Sequence, residues 1–452
     1  MDKYLEFRNK YSEFYYNSYN IEENDDYILI TYNFEIKDLM EFNPTIKIPK
    51  DSHCSYDRKT LDAIVFNVGL SEIASYWKAT CSPKIIIKCG YLDDFRKNWL
   101  KKLLFNGLGE FFYVNGIKPD YDDFVTIEST GEDKKVNNTK EYYGFLVAVG
   151  GGKDSITSLE ILSDVPNKKA FIINNRKVCF DSAKLAGLED EDIINVERCF
   201  DKKIIELNKQ GFLNGHTPLS SVIAFISYLT AYIHGIKNIV LSNESSANEA
   251  SVKGTNINHQ YSKSLEFEND FREYVSKYLI SDISYFSLLR PLSELQIMSI
   301  FTRYPKYFKH FISCNNGGKS KNIGRVDGWC CNCSKCLFIY IIMSNFLSQE
   351  EMVSIFGENL LDKESMLDYF LELLGKKESK PFECVGTIDE VSFVVNNLIT
   401  KNDGKLPYLL EYYKSNYEVV KPNYDLLSNI DKDNNLDSYL LDIVKGALNN
   451  DR

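Results

Sequence analysis

No stretch of this 452-residue chain has the apolar length of a membrane helix: the longest apolar run, Leu337 to Met343, is far short of the roughly 20 residues that span a bilayer. The N-terminus lacks the apolar core of a signal peptide, because Met1-Asp2-Lys3-Tyr4-Leu5-Glu6-Phe7-Arg8 carries charges where that core would stand. Basic residues are not in excess. Against 64 Asp and Glu there are 53 Lys and Arg, a formal net charge of -11, which argues against a nucleic-acid backbone as the main partner while leaving room for a local basic pocket. No internal repeat is present. What remains is a globular composition, 44% hydrophobic, in a chain too long for one ordinary core, so two or three domains are expected. The expectation is a soluble cytoplasmic protein that contacts neither nucleic acid nor membrane. Its 11 cysteines are then mostly thiols or metal ligands.

The first third reads as mixed α/β. Tyr27 to Ile36 alternates as a strand and Thr45 to Pro49 looks like a short edge strand, while helical spacing in Leu61–Trp77 and Asp93–Leu108 is separated by the strand Lys84 to Lys88. A polar, charge-rich stretch from Ser129 to Lys140 reads as a linker, which places an N-terminal domain at 1–138. From there short apolar strands (Phe145–Val149, Lys169–Asn175, Ile193–Val196, Asn238–Glu244) alternate with helical stretches, the clearest being Ser220–His234. That alternation predicts a doubly wound parallel α/β sheet, whose ligands bind beyond the carboxyl ends of the strands. This second domain is expected over 139–345, followed by a mostly helical region with a dilute acidic tail over 346–452.

Between the first of those strands and the next helical stretch stands Gly150-Gly151-Gly152-Lys153-Asp154-Ser155. Consecutive glycines let backbone N–H groups turn toward one anion, and the following helix adds its N-terminal donors and dipole. Lys153 and Ser155 are placed to complete the grip. The loop is not a Walker A sequence, since Val147 stands where its first glycine belongs and Asp154 follows the lysine; it is not a Rossmann fingerprint either, since Ser155 replaces the third glycine. At the ends of the neighbouring strands, Asn174, Asn175, Ser242, Asn243 and Glu244 are candidates for the nucleotide and its metal, although the asparagines equally suit turns.

Cys314, Cys330, Cys333 and Cys336 form Cys…Cys-x-x-Cys-x-x-Cys, with Cys331 as an extra. Two-residue spacers let neighbouring thiolates converge on one tetrahedral zinc, and the longer loop through Gly317-Gly318 brings the fourth. Spacing alone does not choose between Cys330 and Cys331. Four thiolates would make a closed, structural site.

The glycine loop resembles the Ser-Gly-Gly-x-Asp-Ser loop of the PP-loop ATP pyrophosphatases, with Gly150 for the leading serine. In that superfamily the loop holds the β and γ phosphates, and ATP is cleaved between α and β. The loop and the cysteines together resemble the 7-cyano-7-deazaguanine synthase branch. A closer resemblance runs from about residue 25 to 400. Ser75-Tyr76-Trp77-Lys78, Asn214-Gly215-His216-Thr217-Pro218, Ser242 to Ala247, Asn258-His259-Gln260-Tyr261-Ser262-Lys263-Ser264, Leu289-Arg290-Pro291-Leu292-Ser293-Glu294 and Lys380 to Gly386 are similar to the ATP-dependent UDP-N-acetylmuramoyl-L-alanyl-L-glutamate epimerases. The resemblance implies that ATP activates a terminal L-glutamyl carboxylate as an acyl adenylate, that the α-carbon is inverted to D, and that hydrolysis follows. It implies ATP, Mg²⁺ and zinc as cofactors, Mg²⁺ being held by Asp154 and Glu244. His216, His259, Cys384 and Lys78 have the chemistry to move the proton, although each also suits a structural role. Lys263 and Arg290 suit binding of substrate carboxylate or phosphate, and Tyr76 and Trp77 either stack on the substrate or belong to the core. The rivals are an amide-, nitrile- or thiol-forming PP-loop enzyme and an ATP-binding protein without turnover.

Overall fold

The structure is a computed structural model that describes residues 3–137, 140–252, 254–255, 257–314, 328–402, 404–421 and 424–449. Gly317 and Gly318, the expected hinge of the cysteine loop, lie outside them. The strands are β1 (Glu13–Glu23), β2 (Tyr27–Ile36), β3 (Met40–Phe42), β4 (Thr45–Pro49), β5 (Lys84–Ile87), β6 (Thr126–Ser129), β7 (Tyr143–Ala148), β8 (Lys168–Ile173), β9 (Ile193–Cys199), β10 (Ile236–Leu241) and β11 (Ser284–Ser287). All eleven join one sheet in the order β11-β10-β7-β8-β9-β4-β2-β1-β5-β6, with β3 added to β2.

The two halves of the sheet follow different sequence rules. In β2 residues alternate strictly, Ile28, Ile30, Tyr32, Phe34 and Ile36 turning inward, as a strand with one covered face requires. In β8, by contrast, Ala170, Phe171 and Ile172 are all buried, because a parallel strand in this position is covered on both faces. Strands β7 to β11 are parallel throughout. Their order reverses at β7, which has β8 on one side and β10 on the other, so the loop after β7 opens at a topological switch point.

Three sequence expectations change. The strand Thr45–Pro49 is not at an edge: β4 pairs antiparallel with β2 and, through Thr45–Cys199, Ile46–Arg198 and Lys47–Glu197, with β9. Consequently the boundary at 138 does not separate two cores, since residues on both sides of it share this sheet and one apolar cluster that runs from Tyr11 to Tyr285. The stretch after Ser129 is not a free tether. Arg96 holds Asp133 at 2.9 Å, Lys134 reaches Asp62 at 2.7 Å and the Asn137 amide donates to Thr60 Oγ1 at 2.9 Å. Local charge density suggested solvent exposure, whereas opposite charges on the helices Arg58–Trp77 and Asp94–Gly107 hold the segment down.

Beyond the sheet, the helix Ser334–Met343, buried along its whole length, is the centre of a second cluster built mainly from helices of residues 349–416. It accounts for the longest apolar run as core. No helix among the described residues is long and apolar enough to cross a membrane. The C-terminal helix Ser438–Asn449 returns to the parallel half of the sheet and buries Leu440, Val444 and Ala447 against the cluster containing Val147, Leu159 and Ile297. The acidic tail therefore closes a core. Leu440→Ala should lower stability by about 2–5 kcal/mol in urea denaturation, and a loss under about 0.5 kcal/mol, as for a surface site, would place that helix outside the cooperative unit.

Candidate active site

The glycine loop joins β7 to the helix Lys153–Ile161. Gly151 has φ +77°, a left-handed conformation, and a Cβ there would also meet Val178 at 2.7 Å; a Cβ on Gly152 would meet Ser313 Oγ at 2.9 Å. Gly150 has open space around it. The loop opens into a cleft of about 500 Å³ at the switch point. Of the residues proposed for nucleotide, Gly150, Gly152, Asp154, Ser155, Asn174, Ser242 and Asn243 line that cleft. Asn174 is held by accepting the Arg198 amide at 2.7 Å, and Asn243 donates to Ser287 Oγ at 2.9 Å.

Lys153 and Asn175 do not line the cleft. The Lys153 side chain is fully buried, and its ammonium is paired with Asp154 and Glu294. Asn175 sits in a left-handed turn with φ 37°, its amide bonded to Asn195 Oδ1 at 3.0 Å.

Carboxylate oxygens of Asp154, Glu244 and Glu294 lie within 4.8 Å of one another. Burial pushes the Glu294 carboxyl up from its ordinary value against the pull of Lys153. Three carboxyls around one ammonium suit a hard divalent cation, which would neutralise the surplus charge. Glu294 belongs to the conspicuous Leu289–Glu294 segment, but the sequence drew attention to Arg290 instead.

Arg290 proves to be an organiser. It is fully buried, donates to the Glu244 carbonyl at 2.7 Å and the Lys263 carbonyl at 2.6 Å, and pairs with Glu268 at 3.1 Å. With every one of these bonds internal, it fixes the two segments that carry Glu244 and Lys263 and does not reach the cleft. Tyr76 and Trp77 are likewise core residues with no exposure: the Tyr76 hydroxyl accepts the Asp201 amide at 2.9 Å, and Trp77 Nε1 donates to the Ser82 carbonyl at 2.8 Å.

Lys263 and Cys384 meet on the cleft wall, Lys263 Nζ donating to Cys384 Sγ at 3.0 Å. The Lys335 ammonium bonds the Cys384 carbonyl, and His259 is near enough for its charge to act on the thiol. Although burial opposes it, the charges of Lys263, His259 and Lys335 bring the Cys384 thiol down to about 6. Behind it, His259 and His216 lie with ring centroids 4.4 Å apart around Glu110. Glu110 bonds His259 Nδ1 directly and stands 3.6 Å from His216 Nδ1. Burial would lower His259, but its bonds to Cys384 and Glu110 raise it to about 9, while burial and the neighbouring His259 charge push His216 down to about 4. One ring of the pair is therefore charged at neutral pH. Lys78 is buried beneath this group, donating to Thr217 Oγ1 at 2.6 Å and to the Gly215 carbonyl, and burial lowers it to about 8. It secures the loop that carries His216. Glu110 gave no sequence signal, because a single glutamate in Leu108-Gly109-Glu110-Phe111 matches no motif.

The four cysteines converge. Sγ separations are 3.8 Å for Cys314–Cys333, 3.6 Å for Cys330–Cys336 and 3.5 Å for Cys333–Cys336. Zinc–sulfur bonds of about 2.3 Å give a tetrahedral edge of about 3.8 Å, so the spacing fits a zinc ion. Cys331 turns away at φ 51° and donates to the Phe356 carbonyl at 3.2 Å, which leaves Cys330 in the set. This cluster also touches the glycine loop, the Ile312 amide donating to the Gly151 carbonyl at 2.9 Å. In metal analysis of purified protein, Cys333→Ser should therefore lose most of its zinc, whereas Cys331→Ser should keep it; the reverse pattern would reassign the site.

Residues 6–288 match the MurL N-terminal domain and residues 310–422 the MurL C-terminal domain. Three curated proteins named UDP-N-acetyl-alpha-D-muramoyl-L-alanyl-L-glutamate epimerase are similar to the chain. That of Xanthomonas oryzae pv. oryzae is 35% identical over 69% of each sequence, that of a Micromonospora strain 31% identical over 79% of each, and that of Salinispora tropica 31% identical over 80% of this chain and 79% of its own. No solved structure matches. With both domains matched in order over the sheet, the cleft and the cysteine cluster, the chain belongs to the MurL family of epimerases.

Proposed function

We propose that this enzyme is an ATP-dependent epimerase that inverts the terminal L-glutamyl residue of UDP-N-acetylmuramoyl-L-alanyl-L-glutamate to D-glutamyl, with cleavage of ATP to AMP and pyrophosphate. The observation that carries this reading is a single cleft: the glycine loop and Asp154 line the same space as Lys263 and Cys384, with the buried carboxyls of Glu244 and Glu294 within 4.8 Å of Asp154 behind the wall. The names of the relatives support the substrate, and the reversal of strand order at β7, with a glycine loop after it, supports a PP-loop nucleotide site.

The chemistry explains why activation and proton transfer belong together. A free carboxylate makes its α-proton hard to remove, since deprotonation places a second negative charge beside the first. Attack of the carboxylate oxygen on the α-phosphorus of ATP breaks the α–β bond, releases pyrophosphate and leaves an acyl adenylate whose acyl group no longer carries the carboxylate charge. Its α-proton is then removable by a side-chain base; reprotonation from the other face inverts the carbon, and water attacking the acyl carbon releases AMP and the D-glutamyl product. In this scheme the backbone amides of residues 150–152 and the start of the helix Lys153–Ile161 receive phosphate oxygens. Asp154 and Glu244 hold Mg²⁺, with Glu294 beside them, and the cation supplies charge neutralisation at the phosphates. Zinc on the four cysteines has a structural part, fixing Ser313 and Ile312 against the glycine loop.

Incubation with the L-glutamyl substrate, ATP and Mg²⁺ in deuterated water should release pyrophosphate and place deuterium at the glutamyl α-carbon. Pyrophosphate release that requires ammonia or a sulfur donor would instead favour an amide-, nitrile- or thiol-forming enzyme. Asp154→Asn should slow pyrophosphate release by on the order of 100-fold or more, as expected when several kcal/mol of charge stabilisation are lost; an unchanged rate would remove Asp154 from the metal site.

A further inference from the structure

Of the three cysteines that line the cleft, Cys179, Cys314 and Cys384, Cys384 has surroundings built to hold it ionised. Lys263 reaches the sulfur at 3.0 Å, Lys335 bonds the carbonyl of the same residue, and the charge of His259 also favours the thiolate. His259 is itself held from behind by Glu110, a residue of the N-terminal helix Gly109–Val114 some 150 positions earlier in the chain. The Glu110 carboxylate thus orients the His259 imidazole, whose charge acts on the Cys384 sulfur, an arrangement of the kind that activates a thiol beside a histidine. The other charged groups nearby are His216, which is kept neutral, and Lys78, which is occupied by Gly215 and Thr217; the carboxylates of Glu244 and Asp154 act on Lys263 from the cation side of the cleft. Other side chains named for proton transfer are less well placed. Neither His216, His259 nor Lys78 lines the cleft, whereas Cys384 does.

We infer that Cys384 is the catalytic residue that moves the α-proton on one face of the activated glutamyl residue, and that Glu110 is a positioning residue that holds His259 against it. This rests on the adenylation reading above. In the step, the Cys384 thiolate takes the α-proton and becomes a thiol, the C–H electron pair passes into the enolate of the acyl adenylate, and a proton from the opposite face completes inversion. In the reverse direction Cys384 donates. Nothing is oxidised or reduced. The thiolate–imidazolium pair exists between about pH 6 and pH 9: below, the thiol is protonated as pH falls through its lowered value, and above, His259 loses its proton as pH rises through its raised one.

Two measurements on the full-length protein test this. The first needs no substrate. Alkylation of Cys384 by iodoacetamide, followed by mass spectrometry of its peptide so that other thiols do not interfere, should rise with pH to a midpoint near 6. In Glu110→Gln, an isosteric change, the midpoint should move up by about 1 unit or more toward the ordinary thiol value of about 8.5. A midpoint near the ordinary thiol value in the parent protein, or an unmoved midpoint in the variant at unchanged melting temperature, overturns the assignment. The second separates activation from proton transfer. In Cys384→Ser, deuterium wash-in at the α-carbon should fall by at least about 100-fold, and far more than ATP–pyrophosphate exchange. Equal losses of both, or retained wash-in, would overturn the role of Cys384. Absence of exchange in the parent protein would count against the adenylation reading itself, and the alkylation profile would still decide whether Glu110 and His259 hold a thiolate.

Discussion

A lysine ammonium buried without exposure must be paired, and that requirement at Lys153 organises the site. Its partners are Asp154, next in sequence, and Glu294, which opens the helix Glu294–Phe301 packed against Lys153–Ile161. An unpaired charge at this depth costs several kcal/mol, so the two helices cannot separate without exposing or neutralising the group. The pair therefore fixes the start of the helix after the glycine loop, sets the direction in which Asp154 faces and brings a second carboxyl to the same place. Because the lysine is satisfied inside the protein, the cleft-facing surface of the loop is left to backbone. That surface is formed by Gly150 and Gly152.

From that fixed point the cleft is assembled by three parts of the chain that have no local reason to meet. Parallel strands contribute Asn174, Ser242 and Asn243 from their carboxyl ends. The cysteine cluster contributes Ile312 to the glycine loop and Lys335 to Cys384, so a structural metal would act on both ends of the cleft. Arg290 completes the frame by binding the carbonyls of Glu244 and Lys263 at once. An arginine with five donors in a planar fork can tie two backbones and a carboxylate together, which a lysine cannot.

The N-terminal unit is part of this assembly. By pairing β4 with β9 it extends the parallel sheet, and Arg198, in register with Ile46, is bound by Glu72 at 2.7 Å. Its helix Gly109–Val114 supplies Glu110 to His259, and Lys78 at the end of Arg58–Trp77 secures the loop of His216. A unit of this kind does more than decorate a nucleotide fold. It places one of the charges that, together with Cys384, raise His259.

Much of the framework was legible in the residues. Alternation located β2 and the buried strands β7, β8 and β10, three glycines before a helix located the loop that opens into the cleft, and paired cysteines located the thiol cluster, because each depends on neighbours within a few positions. Strand β1, rich in tyrosine and asparagine, escaped since its polar face mimics a loop, and the charged stretch 129–137 read as a tether since its partners are elsewhere. Composition could not say that Tyr76, Trp77 and Arg290 are buried, or that Cys330 and not Cys331 faces the other thiols. The sequence by itself thus determined the kinds of chemistry present: an anion-binding loop, a tetrathiolate set and a small stock of acids and bases. Only the tertiary structure decided which of these work together, because protonation at Cys384, His259 and Glu294 depends on charges brought from more than 100 residues away and on the exclusion of water around them.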